Sequence, residues 1–292
     1  MAINKKLKLV IASGKGGVGK SMLTSSLAIL FNQQHQVVAV DCDVDAPNLA
    51  IWLNEATNWQ KIKKISTSEK AIVNSKKCIG CGSCVQNCQF QAIKLIKNKA
   101  HVNPFTCEGC GLCEIICPVQ AISLKPVKNG EIKIKKTKDN FNLISGQLYP
   151  GETGSGKVVD QVKKEADNYD YQIMIIDSSP GTGCPVIASL KDTNYVALIT
   201  EPTPSGFSDL KRVLQVVNYF KIPYGIIINK WDINKILSAK IKKWAGQKFI
   251  GQISYQPAIF QAIANFKPIM TTNLNTKKEI ENIFKILNKK IN

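Results

Sequence analysis

Apolar and polar positions along the chain alternate between two periods. Leu7–Ala12 is an apolar run that stops at Ser13-Gly14 and predicts a buried strand. A glycine loop follows, then the stretch Lys20–Gln33, where Leu23, Leu27, Leu30 and Phe31 share one face at helical spacing. Val37–Val40 predicts a second strand, ending in Asp41-Cys42-Asp43. Further strands are predicted at Gln172–Ile176, Tyr195–Thr200, Tyr224–Ile228 and Phe249–Ile253, with helices around 157–168, 184–191, 206–220 and 234–245. Strands alternating with helices imply an α/β fold, a doubly wound and mostly parallel sheet whose ligands sit at the carboxyl ends of the strands. At the end of the chain, Thr276 and Glu279 are spaced as a capping box. Ile280, Ile283, Phe284, Leu287 and Ile291 then form an apolar stripe, expected to pack on the sheet, with membrane contact as the alternative.

Residues 66–139 break this rhythm with an internal repeat: CIGCGSCVQNCQFQAI at 78–93 and CEGCGLCEIICPVQAI at 107–122. The expected organisation is therefore 1–65 and 140–292 as two parts of one domain, with 66–139 inserted. Each repeat has the spacing C-x₂-C-x₂-C-x₃-C, the spacing of two-cluster ferredoxins, in which the fourth cysteine of each run serves the other cluster. On that basis one [4Fe–4S] cluster is expected on Cys78, Cys81, Cys84 and Cys117, and a second on Cys107, Cys110, Cys113 and Cys88. Zinc is the competing metal. Gln89 stands where the first run would carry proline.

Gly14-Lys15-Gly16-Gly17-Val18-Gly19-Lys20-Ser21 fits the phosphate-binding loop G-x-x-x-x-G-K-[ST] between a predicted strand and a predicted helix. Its backbone N–H groups can face a phosphate chain, Lys20 can reach the β- and γ-phosphates, and the Ser21 hydroxyl can ligate Mg²⁺. Gly151–Lys157 repeats the pattern, but Val158 replaces the hydroxyl, and this segment is read as a loop before a helix.

The extra lysine, Lys15, resembles the deviant Walker A loop of the MinD/ParA/nitrogenase-iron-protein superfamily. Asp41-Cys42-Asp43 resembles its switch I, and Asp177-Ser178-Ser179-Pro180-Gly181 its switch II. With the cysteine insert, the chain looks most like the MinD-like ATPases carrying a ferredoxin domain, including those associated with the orange-protein complex. The resemblance implies ATP and Mg²⁺ as ligands, held by residues 14–21 with Met22, Asp41, Gly181 and Asn229. Lys15, Lys20, Asp43 and Asp177 are the implied catalytic residues: Lys15 reaches across a dimer, Asp43 positions the attacking water and Asp177 holds magnesium through water. Asn229 is implied to contact adenine, although Asn229-Lys230-Trp231-Asp232 also fits the guanine motif N-K-x-D. Cys184, seven residues after Asp177, is a candidate for a third, dimer-bridging cluster.

Composition adjusts this picture in two places. Ten cysteines without an export signal argue for metal or redox chemistry in a cytoplasmic protein. The net charge of +18 suggests nucleic acid, yet it lies in two blocks: fifteen lysines against five acids in 61–140, and twelve against three in 230–292. Arg212 is the single arginine, poor equipment for bidentate phosphate or base recognition, so nucleic acid is disfavoured. The expectation is an ATPase that dimerises with itself or a paralogue and couples nucleotide state to [4Fe–4S] electron transfer through a redox partner. The alternatives are an ATP-dependent cluster carrier serving an acceptor protein, and a ParA/MinD-like positioning ATPase with redox-sensing clusters.

Overall fold

The computed structural model describes residues 6–291. In chain order the elements are β1 (Leu7–Ala12), α1 (Lys20–Asn32), β2 (Val37–Cys42), α2 (Leu49–Trp52), β3 (Lys61–Ile65), β4 (Ser68–Val73) and α3 (Ser83–Gln86). Then come β5 (Ile93–Ile96), β6 (Lys99–Val102), α4 (Leu112–Ile115), β7 (Ile122–Val127), β8 (Gly130–Lys136), β9 (Asn142–Leu148) and α5 (Ser155–Ala166). The remainder is β10 (Ile173–Ser178), α6 (Cys184–Leu190), β11 (Tyr195–Thr200), α7 (Pro204–Tyr219), β12 (Tyr224–Asn229), α8 (Lys235–Ala245), β13 (Phe249–Ile253), α9 (Ala258–Ala264) and α10 (Asn275–Ile291). The chain divides into two compact units. One holds the residues up to Lys63, Ile132–Gln147 and those from Ser155; the other holds Lys64–Glu131 and Leu148–Gly154.

A nine-stranded sheet runs in the order β13-β12-β11-β1-β10-β2-β9-β8-β3, with every pairing from β13 to β9 parallel. Its central strands β2, β10 and β11 are buried at every position, as a sheet covered on both faces requires. Because side chains alternate, Leu9, Ile11, Ala39, Ile173, Ile175, Ala197 and Ile199 join one core with α1 and α10. The intervening Val10, Val38, Val40, Met174, Ile176 and Val196 are buried on the other face, where α5, α6 and α7 contact the strands.

Helix α1 is buried nearly all round, including Thr24, Ser25 and Ser26. Their hydroxyls are satisfied within the helix: Ser25 and Ser26 donate to the Met22 carbonyl at 2.9 and 2.8 Å, and Thr24 donates to the Lys20 carbonyl at 2.9 Å.

Residues 142–148 form strand β9 although Ser145-Gly146 interrupts their apolar run. A Cβ on Gly146 would lie 2.4 Å from Val162, so the missing side chain is what lets α5 lie against this strand.

The apolar stripe of α10 is buried at Ile280, Ile283, Phe284 and Leu287. Phe284 meets Phe31 of α1 edge-on at 4.8 Å. Each such side chain contributes roughly 1.5–3 kcal/mol, and the stripe is committed to the core rather than to a membrane surface. The expected capping box does not form. Thr276 Oγ1 is buried with no hydrogen-bond partner, and Glu279 instead accepts from Ser254 N–H at 2.9 Å and the Ser254 hydroxyl at 3.0 Å.

In the second unit β4 pairs antiparallel with β7, and β5 with β6. The repeat is visible in the backbone. Gln91 and Gln120 both lie at positive φ, and Gly80 and Gly109 each press against a backbone carbonyl, of Asn98 and Glu69 respectively. Ala71, Ala92, Ala100 and Ala121 each donate an N–H to a cysteine sulfur, of Cys107, Cys88, Cys78 and Cys117, at 3.2–3.5 Å. All ten cysteines are free, with Cys78, Cys84 and Cys107 buried and Cys81 and Cys110 exposed. Burial, with Cys107 and Cys110 nearby, pushes the Cys113 thiol up to about 11.

The placement of the side chains corrects the metal reading. Among the described residues no group of three or more His, Cys, Asp or Glu side chains is placed to hold a metal ion. The two expected [4Fe–4S] sites, on Cys78, Cys81, Cys84 and Cys117 and on Cys107, Cys110, Cys113 and Cys88, therefore have no structural basis. The ferredoxin assignment of the insert and the electron-transfer function fall with them. Cys184 is exposed at the start of α6.

On the far side of the main sheet, Lys163 of α5 is buried and donates to the carbonyls of Ala188 at 2.8 Å, Ser189 at 3.0 Å and Lys191. It thereby satisfies the end of α6, the helix that follows β10, and burial holds its ammonium below the usual lysine range. Lys163→Ala strands these carbonyls and is expected to cost about 2–4 kcal/mol in chemical denaturation, the penalty of several buried unpaired acceptors; a change below about 0.5 kcal/mol, the level of surface substitutions, would show that the contact does not stabilise the fold.

Candidate functional site

β1, β2 and β10 lie side by side, and their carboxyl ends place the glycine loop, Asp41–Asp43 and Asp177 together. The loop leaves β1 at Ser13, whose hydroxyl donates to the Lys15 carbonyl at 2.9 Å. Two glycines in it are sterically required. A Cβ on Gly14 would sit 2.1 Å from the Asp209 carbonyl of α7, and one on Gly19 (φ 93°) would sit 2.3 Å from Asn229 Nδ2. Gly181 N–H closes the other side, donating to the Ser13 carbonyl at 2.9 Å.

Lys20, at the first position of α1, is buried. Its ammonium donates to Asp177 Oδ1 at 2.8 Å and lies 3.6 Å from Asp43 Oδ2. Burial opposes the charge on Lys20, but Asp177, Asp43 and Asp41 outweigh it and raise its pKa above the usual value. The Thr24 hydroxyl, which shares its one proton between the Lys20 carbonyl and this carboxylate, lies 3.0 Å from the same Asp177 oxygen, while Asp177 Oδ2 is buried with no hydrogen-bond partner. That orphaned oxygen is the acceptor a water of a hydrated magnesium would use, since Mg²⁺ in such loops keeps several waters and takes substrate phosphates as ligands. Ser21, partly buried beside it in α1, supplies the hydroxyl. The residues present fit the ion.

Asp41 is fully buried, and both its oxygens are taken by backbone: Asp43 N–H at 3.1 Å and Leu49 N–H at 2.9 Å. It therefore ties the loop after β2 to the start of α2. Burial and then Asp177 hold its carboxyl well above the usual range. Burial likewise raises Asp43, against the pull of Lys20. Cys42, between them, is fully buried on the opposite side of the strand.

Asn229 ends β12 and binds protein on both sides of its amide, donating to the Val18 carbonyl at 2.8 Å and accepting Lys230 N–H at 2.9 Å. It pins the glycine loop to β12, two strands away from β1 in the sheet. Asp232 accepts Tyr255 N–H at 2.7 Å. Beside the loop is an open cavity lined by Gly19, Met22 and Asn229 together with Trp52, Tyr255 and Phe260. Asp232 is not among its lining residues. Sequence reasoning missed Trp52, Tyr255 and Phe260, because each reaches the cavity from a segment with no motif of its own. Lys15 points to Glu201, another residue the sequence did not single out, at 3.0 Å.

The chain matches the family of the CobQ/CobB/MinD/ParA nucleotide binding domain over residues 9–269, and it belongs to that family. It is 42% identical to the uncharacterized protein MJ0578 of Methanocaldococcus jannaschii over 79% of this chain and 80% of that one. Among solved structures it resembles a plasmid partition protein of Borrelia burgdorferi bound to AMPPNP, at 19% identity and a TM-score of 0.60, covering 98% of this chain and all (100%) of that one. It also resembles the MinC:MinD cell division protein complex of Aquifex aeolicus, at 17% identity and a TM-score of 0.60, covering 97% and 96%. The two structural likenesses establish the fold. Family and loop together make this chain a P-loop ATPase of the MinD/ParA type.

Gly14→Ala drives a methyl into the backbone of α7 and must displace the loop. It is expected to weaken nucleotide binding at least about tenfold, a loss of roughly 1.4 kcal/mol, by isothermal titration calorimetry; affinity within twofold of wild type would show that this close approach does not shape the site.

Proposed function

We propose that this chain is an ATP-switched positioning ATPase of the MinD/ParA type. It binds MgATP in the glycine loop, pairs with a second copy or a paralogue through Lys15, and engages a partner protein in the ATP-bound form. The observation that carries the reading is Lys20 held between Asp177, at the carboxyl end of β10, and Asp43, just after β2, at 2.8 and 3.6 Å. A triphosphate entering the loop competes with both carboxylates for that ammonium. Both segments must then rearrange, which is how γ-phosphate occupancy is converted into shape in switch proteins.

In this reading, the backbone N–H groups of residues 14–19 cradle the phosphates and Lys20 neutralises the β- and γ-oxygens. Ser21 and Asp177 would hold magnesium, which supplies further charge neutralisation at those oxygens when bound. Asp43 orients the water whose oxygen attacks the γ-phosphorus while the bond to the β–γ bridging oxygen breaks, giving ADP and phosphate. Asp41 keeps Asp43 in place through its backbone bonds. The base occupies the cavity between Met22, Trp52 and Tyr255. Adenine is favoured over guanine because Asp232, the carboxylate that would read guanine, does not line that cavity and is tied through one oxygen to Tyr255 N–H.

A positioning role needs a surface to move on and a partner that times hydrolysis. The MinC:MinD complex is one case of a structural relative joined to a partner protein. The lysine-rich segment 230–292 offers charge for an anionic surface such as DNA. No helix among the described residues is long and apolar enough to cross a membrane, and the proposed location is the cytoplasm.

Two measurements test this reading. Asp43→Ala is expected to bind MgATP within about threefold of wild type while hydrolysis falls at least about a hundredfold, the scale of losing a positioned catalytic group; unchanged turnover would remove Asp43 from the mechanism. The wild-type chain is expected to co-sediment with DNA or anionic liposomes in MgATP but not in MgADP, more weakly as salt rises. Equal binding with both nucleotides would contradict the switch.

A further inference from the structure

Glu201 directly follows β11, and its carboxylate is shared by two ammonium groups that flank the glycine loop. Lys15 donates to Oε1 at 3.0 Å, and Lys230 lies 3.3 Å from Oε2. The Lys230 ammonium also approaches the Gly17 carbonyl at 3.5 Å, so both cations lie against the loop itself. The Glu201 side chain is 12% exposed and that of Lys15 41%, which puts the anion inside and the lysine at the rim.

The backbone of Glu201 is fixed where it stands. Its carbonyl accepts Thr203 N–H at 2.8 Å, and a Cβ on Gly206 would lie 2.6 Å from that same oxygen. Burial pushes the Glu201 carboxyl up, but Lys15 and Lys230 outweigh it and hold it below the usual carboxylate range. It is therefore an anion at neutral pH, beside the loop that must accept a more highly charged one.

We propose that Glu201 is a positioning residue that holds Lys15 in a contact within its own chain and yields it only to a nucleoside triphosphate. The proposal rests on the MgATP reading above and deepens it: that reading supplies the phosphates, and Glu201 sets the threshold at which Lys15 leaves its own chain. A carboxylate and a terminal phosphate are rival acceptors for one ammonium, and the phosphate is both the more highly charged and the more densely supplied with acceptor oxygens. A diphosphate lacks the terminal group and competes less well. Glu201 thereby makes the release of Lys15 depend on which nucleotide is bound, at the cost of some triphosphate affinity.

The test is a mutant cycle on the full chain, with MgAMPPNP and MgADP affinities measured by calorimetry. Glu201→Gln keeps the shape of the side chain and removes its charge. AMPPNP is expected to bind about three- to tenfold more tightly, the range an ion pair of this partial exposure can supply, with ADP changed less than twofold. In a Lys15→Ala background the same substitution is expected to give no gain. An equal gain for ADP would mark a general field effect, and both that result and an undiminished gain without Lys15 would overturn the proposal. So would a gain below twofold.

If Glu201→Gln does not fold, Lys15→Ala alone decides. It must lower the preference for AMPPNP over ADP while leaving ADP affinity in place; an equal loss for both nucleotides overturns the latch. A wild-type chain that binds neither nucleotide overturns the MgATP reading beneath it, and the proposal with it. Binding of both without discrimination overturns the latch alone.

Discussion

Two carboxylates, Asp177 and Asp43, converge on one buried ammonium, that of Lys20, with a third, Asp41, buried close by and held by backbone. Asp177 has no side-chain exposure and Asp41 none, so their charges are affordable only with a cation and backbone donors at hand. Lys20 supplies the cation, Thr24 a hydroxyl, and Asp43 and Leu49 the N–H groups. The strand order β1-β10-β2 is what brings the three loops into register. Much of the site follows from this arrangement. A phosphate that takes Lys20 leaves Asp177 and Asp43 to find new partners, and Asp41 passes any displacement to α2.

Around that centre the fold is tied by close approaches rather than by loose contact. Gly14 lies on α7, Gly19 on Asn229, and Gly181 on Ser13. Each joins the glycine loop to a different element, so the loop is held by strands β10 and β12 and by helix α7 together. Trp52 then links α2 to the cavity beside the loop. Base contact and the loop after β2 are thus joined through a segment of only a few residues, whose start is fixed by Asp41.

The glycine loop, its lysines and the strand-end aspartates could be read in the sequence because each is a local pattern, one loop between a strand and a helix. What could not be read were contacts made across elements. Asp41 sits beside Asp43 in the chain, yet its carboxylate is spent on the backbone of α2. Glu279 has the spacing of a capping residue but faces Ser254, and its bond goes there. Ser145-Gly146 looks like a strand breaker until α5 is laid on it. The cysteine repeat was the largest misreading. Its spacing is that of a cluster ligand set, but spacing fixes order along the chain and not convergence of side chains. In the structure four of those sulfurs accept alanine N–H bonds, and among the described residues no metal-holding group is formed. Glu201 and Trp52 belong to no motif and become visible only when β11 and α2 are placed beside the loop.

A crystal structure of the chain with MgAMPPNP tests the central claim most directly. The account predicts that the Lys20 ammonium leaves Asp177, now 2.8 Å away, for the phosphate oxygens, and that the loops after β2 and β10 shift as it goes. Nucleotide bound in the loop with the Lys20–Asp177 contact intact would contradict it.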